Sequence, residues 1–139
     1  MSLERFCRKP VVTIAPGQTV HEVAREMRDK HVGAVVVAED GRPVGIVTDR
    51  DLVMRAILEG RDPSTTPVKE IMSRNPTIVR SDQKIDDAIV TIRQAGVRRV
   101  PIVDDTGMMV GMIALDDLVV LMAGELGMAV AAVQCNRGP

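Results

Sequence analysis

The sequence predicts an α/β (α+β) fold built from two copies of one β-α-β-β-α unit. Three observations carry this expectation. The chain resembles itself: Thr13-Ile14 falls on Thr77-Ile78 at an offset of 64, Val20, Val23, Ala24 and Met27 fall on Ile85, Ala88, Ile89 and Ile92 at 65, and Gly45 to Asp51 falls on Gly111 to Asp117 at 66. A drift of one residue per step fits loop insertions such as Thr106, and so long a period marks a duplicated small domain, since solenoid repeats run about 20–50 residues. Short β-branched runs alternate with segments of helical period in each half. Finally, 139 residues with 45% apolar and 27% charged side chains suit one ordinary core or two small ones.

Each element has a local reason. Val11 to Ile14, matched by Thr77 to Val79, is a short strand rich in β-branched residues. Thr19 to His31, matched by Gln83 to Ala95, carries apolar residues at i, i+3, i+4 and i+7, and Thr19 with Glu22 fits a capping box. Ala34 to Ala38, matched by Val100 to Val103, is almost continuously apolar, as in a strand covered on both faces. Turns through Glu39-Asp40-Gly41 and Asp104 to Gly107 lead to second strands, Val44 to Val47 and Met109 to Ile113. A closing helix begins near Asp49 and ends at Gly60, placed as a C′ glycine.

Residues 60–67 read as a polar linker, with Thr66 before Pro67 placed to cap a short helix over Val68 to Met72. From Leu115 to Val133 the chain is apolar around most of a helical circumference. Such a helix demands burial, and a second copy of the protein is the economical cover, with packing on its own core as the alternative. The expected organisation is a first repeat over 3–59, a linker over 60–67, a second repeat over 68–126 and a helical tail over 127–139.

Composition excludes several functions. With 18 basic against 19 acidic residues, no whole-molecule field draws the chain to nucleic acid or to an anionic membrane. One Phe and no Trp or Tyr leave no base-stacking platform and no aromatic cage. Cys7 and Cys135 lie far apart without CxxC spacing, as two unpaired thiols of a reducing compartment, and His21 and His31 have no third metal ligand nearby. The N-terminus lacks the apolar segment of a signal peptide, and the apolar stretches around Glu125 are too short to span a bilayer, so a cytoplasmic location is expected. Asp86-Asp87 and Asp116-Asp117 are sequence neighbours that do not face each other as an acid/base pair, and no nucleophilic constellation stands out, so the chain is not expected to be an enzyme.

Gly45-Ile-Val-Thr-Asp-Arg-Asp51 has two physical readings. Thr48-x-x-Asp51 at a strand-to-helix junction caps the helix. Asp51 can also accept hydrogen bonds from a sugar diol, as an acidic residue does in dinucleotide folds, while Thr48 offers its hydroxyl. A carboxylate has about four lone-pair sites, so both can hold at once.

The lead Pro-x-Thr stretches, Val97-Arg-Arg-Val-Pro-Ile-Val-Asp104 and above all Gly45 to Asp51 resemble cystathionine β-synthase (CBS) domains, and the pair resembles a Bateman module. The resemblance runs from about Leu3 to Leu126. It implies two repeats packed sheet to sheet with pseudo-twofold symmetry, a regulatory rather than catalytic role, and clefts that take adenosine-containing ligands. In the primary cleft it implies Thr48 and Asp51 on the ribose, Arg98 and Arg99 on the phosphate, and Ile46, Thr77 and Ile78 about the base. Guanidinium suits phosphate because its planar fork makes bidentate charge-assisted bonds.

The secondary cleft would use Thr13, Ile14 and Asp117. Ala114 there replaces the hydroxyl, and Gly33 and Ala34 replace the arginines. Two unequal sites result: the Asp51 site suits a phosphorylated adenosine, AMP-like first with ADP or ATP as further candidates, and the Asp117 site is empty, weak or reserved for an uncharged or cationic adenosyl compound of the S-adenosylmethionine type. Asp116, standing where relatives carry a basic residue, speaks against a triphosphate. No cofactor is required. A homodimer and an unidentified protein target are the expected partners. The alternative is a structural or interaction module whose motifs serve only as helix caps.

Overall fold

A computed structural model describes Leu3 and residues 11–123. Strand β1 (Thr13–Ile14) is followed by α1 (Val20–Lys30), β2 (Ala34–Glu39), β3 (Arg42–Thr48) and one helical turn, α2 (Asp49–Asp51), that runs into a π-helical segment, Leu52–Ile57. A 3-10 turn (Val68–Glu70) and β4 (Ser73–Arg74) come next. The order then repeats as β5 (Val79–Arg80), α3 (Ile85–Ala95), β6 (Arg99–Val103), β7 (Met109–Ala114) and α4 (Leu115–Ala123). Two small sheets result, ordered β1-β2-β3-β4 and β5-β6-β7, so the α/β class and the duplicated β-α-β-β-α order hold. The tail over 127–139 and both cysteines lie outside the described residues.

The described residues form two compact units, one over 11–76 with Thr106–Met109 and one of Leu3, Thr77–Asp105 and residues 110–123. In the first, Ile14, Val20, Val23, Met27, Val35, Val37, Val47, Ala56, Val68 and Ile71 make the core. In the second, Leu3 joins Val79, Ala88, Ile92, Val100, Ile102, Ile113 and Leu118. The lead-in segments are therefore exchanged. Val68 and Ile71, which open the second repeat, are core residues of the first unit, whereas Leu3, which opens the first, is fully buried in the second and donates its N–H to the Ser81 carbonyl at 3.2 Å.

Helix α1 buries Val20, Val23 and Met27, one stripe at i, i+3 and i+7. Thr19 caps it, its side chain accepting from the Glu22 N–H at 3.2 Å. Glu22 does not return the favour: its carboxylate takes the Gln18 amide at 3.0 Å, so half of the expected capping box forms. The helix ends at His31, whose left-handed backbone (φ 54°) turns its N–H onto the Met27 carbonyl.

The two open amides at the start of α1 decide the path of residues 60–67. Val20 N–H donates to the Thr66 carbonyl at 2.9 Å and His21 N–H to the Pro63 carbonyl at 3.0 Å. Thr66 is buried. The polar stretch is thus docked on α1 rather than a loose tether, and the Thr66 side chain does not cap the 3-10 turn. Pro67 stands at that N-cap without a side-chain hydrogen bond, and the expected helix shrinks to Val68–Glu70.

Strand β2 runs parallel to β1 and antiparallel to β3, and β3 pairs antiparallel with β4. Asp40 and Gly41, both at positive φ (53° and 76°), turn the β2–β3 hairpin. Gly45 pairs with Arg74 on β4. A Cβ there would run into the Met72 sulfur and lie 3.1 Å from the Ser73 carbonyl oxygen, so the close approach of β4 requires glycine. Gly45→Ala is expected to lower stability by about 1–3 kcal/mol through overpacking. Urea unfolding followed by far-ultraviolet circular dichroism reads this, since the chain has no Trp or Tyr; an unchanged midpoint would show that β4 can step aside.

Candidate functional site

The junction of β3 and α2 carries the Thr48–Asp51 pair. Side chains alternate along a strand, so Ile46 and Thr48 share one face of β3 while Val47 enters the core on the other. Thr48 is the N-cap residue (φ −111°, ψ 164°). Its hydroxyl accepts from the Asp51 N–H at 3.2 Å, and Asp51 Oδ2 accepts from the Thr48 N–H at 2.9 Å. The capping box is complete. Yet the Asp51 side chain keeps 18% exposure, and one backbone N–H leaves acceptor capacity on the carboxylate.

Arg55, which sequence reasoning missed, joins this pair. Its Nε lies 3.7 Å from Asp51 Oδ1, and its Nη1 donates to the Ile71 carbonyl at 3.0 Å and to the Ser73 hydroxyl at 3.2 Å. The available signal was the i, i+4 spacing of an acid and a base on one helix. Arg55 belongs to the π-helical segment, past which Leu58 and Arg61 donate their N–H groups five residues back, to Val53 and Ala56 at 2.9 and 3.0 Å. The same segment leaves Val53, Met54, Ile57 and Leu58 exposed.

Sheet register places the remaining expected residues. Thr13 pairs with Val36, Val36 with Ile46, and Ile46 with Ser73, so these four share one row and one face. Ile14 faces the other way, into the core, at 3% exposure. Its side chain is a packing residue of the first unit's core. Ile14 pairs with Val37, as Val79 pairs with Ile102. The counterpart of Ile14 is therefore Val79, and that of Thr13 is Ile78, one residue later than the sequence matching of Thr13 with Thr77 implies. Ile78 is 42% exposed and Thr77 half-buried.

The second copy keeps the acid, Asp117 for Asp51, but differs at the hydroxyl and at the cation. Leu115 N–H donates to the Arg98 carbonyl at 2.7 Å just as Asp49 N–H donates to the Gly33 carbonyl at 3.0 Å, which makes Gly33 and Arg98 geometric counterparts. Arg98 precedes β6 and Arg99 begins it. Both are exposed, and neither side chain makes a hydrogen bond or ion pair among the described residues. At Gly33 a Cβ would already lie 3.3 Å from Asp49 Oδ2, so the first copy offers a carboxylate where the second offers guanidinium. Ala114 stands before α4 in the place of Thr48 and has no side-chain oxygen to accept a helix N–H; Asp117 is half-buried. Among the described residues no group of three or more His, Cys, Asp or Glu could hold a metal, and no helix is long and apolar enough to cross a membrane.

Two β-α-β-β-α units, each closed by a helix that starts where its hairpin strand ends, define a tandem α/β repeat module. The chain belongs to the CBS domain family, whose model matches residues 3–57 and 68–124. It is 41% identical over 110 residues to the CBS domain-containing protein YhcV of Bacillus subtilis, covering 79% of this chain and 77% of that protein. With the uncharacterized protein MK0525 of Methanopyrus kandleri it shares 34% identity over 119 residues, which is 85% of this chain but 61% of that protein. Among solved structures it resembles the CBS domain protein PAE2072 of Pyrobaculum aerophilum, solved in complex with AMP, at a TM-score of 0.74 and 27% identity over 84% of this chain and 89% of that one.

Thr48→Ala is expected to destabilise the protein by about 1 kcal/mol, the usual worth of an N-cap, while Thr48→Ser stays close to wild type. Urea midpoints of the two variants measure the difference, and equal midpoints would deny the hydroxyl its capping role.

Proposed function

We propose that this chain is a regulatory sensor that binds an adenosine-containing ligand, an AMP-like nucleotide first among them. The observation that carries the reading is the Asp51 carboxylate: engaged by one backbone amide, partly open to solvent, and preceded by a hydroxyl residue on the same strand end. In this reading Asp51 accepts from the ribose diol, Thr48 meets the sugar or phosphate, and Arg98 and Arg99 neutralise the phosphate. Ile46, Ile78 and Thr77 lie about the base. The AMP held by PAE2072 supports the ligand class. Asp117 with Thr13 serves a weaker site, because alanine and glycine stand where the first site has threonine and arginine. The chain acts without catalysis of its own, through a protein target or a homodimer. Exposed Val53, Met54, Ile57 and Leu58 support self-association.

The completed capping box favours a second reading, a structural module in which Thr48 and Asp51 only start the helix. Calorimetric titration of AMP separates the two. Wild type is expected to bind. Asp51→Ala should lose about ten- to a hundredfold in affinity, as for a charge-assisted hydrogen bond worth about 1.5–3 kcal/mol, while Asp117→Ala stays within about twofold. Equal losses would remove the asymmetry, and a wild type that ignores AMP, ADP, ATP and S-adenosylmethionine would leave the capping reading. Since Trp and Tyr are absent, a co-purified nucleotide would dominate the ultraviolet spectrum before any titration.

A further inference from the structure

Arg55 connects two things that the fold could have left separate. On one side its Nε lies 3.7 Å from Asp51 Oδ1, an ion-pair distance beyond hydrogen-bond range. On the other its Nη1 holds the Ile71 carbonyl and the Ser73 hydroxyl, at 3.0 and 3.2 Å. Ser73 opens β4 and pairs with Ile46, on the face of the sheet that also carries Thr48. The second Asp51 oxygen is already taken by the Thr48 N–H. Backbone therefore fixes one edge of the carboxylate, and a half-exposed guanidinium orients the other while leaving it able to accept from a hydroxyl.

We propose that Arg55 is a positioning residue for Asp51, and that it carries the state of that carboxylate to residues 71–73. The proposal rests on the reading of Asp51 as the ligand grip. A ligand hydroxyl that donates to Oδ1 competes with the guanidinium for the same negative charge. As the pair loosens, the planar fork that spans Asp51, Ile71 and Ser73 is released at one end, and the segment leading into β4 feels the change. The coupling can be no larger than the difference in ligand affinity between the paired and unpaired arrangements. For an exposed ion pair that is about two- to fivefold.

Hydrogen exchange on the full chain tests this without ligand first. Arg55→Gln is expected to speed exchange of the amides at 71–74 by about two- to fivefold. Asp51→Asn, which keeps an oxygen for the Thr48 N–H, should speed the same amides although Asp51 makes no direct bond to them, and the double variant should add nothing further. With AMP as the probe, saturation should alter exchange at 71–74 in wild type and leave it unaltered in Arg55→Gln, whose affinity rises about two- to fivefold because the competing guanidinium is gone. Wild-type exchange at 71–74 in Asp51→Asn overturns the proposal, because a purely structural Arg55 would not feel the lost charge. An identical AMP response in wild type and Arg55→Gln overturns it as well. If wild type binds no AMP, the ligand-grip reading of Asp51 falls, and the ligand-free comparison alone decides the role of Arg55.

Discussion

The reciprocal pair of hydrogen bonds between Thr48 and Asp51 sits where a strand must become a helix within one residue. A strand end and a helix start each leave backbone groups without partners, and here a hydroxyl and a carboxylate satisfy one amide apiece. With that junction closed, Val47 can stay in the core while the next turn leaves the sheet. Gly45 makes the second contribution. Without a Cβ it lets the Met72–Ser73 segment lie against β3, and this brings Ser73 within reach of Arg55. The chemistry of the candidate site is thus a by-product of how β3 ends.

The two copies show what happens when that junction is rebuilt with different side chains. The backbone bond from the first helical amide to the carbonyl before the middle strand is kept in both, as Asp49 to Gly33 and as Leu115 to Arg98. The carboxylate is kept as well, as Asp51 and Asp117, but the hydroxyl and the cation are not. Threonine becomes Ala114 in the second copy, and the position occupied by Arg98 is glycine in the first. Duplication preserved the backbone wiring while the side chains around it diverged.

Much of this was legible in the sequence, and the failures have local causes. Repeats, class and the caps at Thr19 and Thr48 stem from short-range patterns: apolar periodicity, β-branched runs, and a hydroxyl residue three before an acid. The one-residue slip between Thr13 and Thr77 arises because both copies carry a Thr-Ile dipeptide, whereas register is set by which residue enters the core, Ile14 in one and Val79 in the other. The Thr66 cap does not form because Pro67, not Thr66, stands at the N-cap of the 3-10 turn, while the Thr66 carbonyl takes the Val20 amide, a partner more than forty residues away. The exchange of Leu3 against Val68 and Ile71 is likewise a long-range choice that no local pattern announces.

Arg55 belongs to a different kind of miss. Its spacing from Asp51 is ordinary, and an exposed pair of that kind contributes only about 0.2–1 kcal/mol. What the spacing does not announce is the π-helical turn from which Arg55 projects, nor that its guanidinium also holds a carbonyl and a hydroxyl sixteen and eighteen residues on. Such turns recur at functional sites because they displace side chains from the positions a regular helix would give them. Here the displaced groups include four exposed apolar residues as well as the arginine. A cap alone needs none of this: Thr48 and Asp51 satisfy the junction by themselves. The additional organisation around the carboxylate is what a strictly structural reading of the motif leaves unexplained.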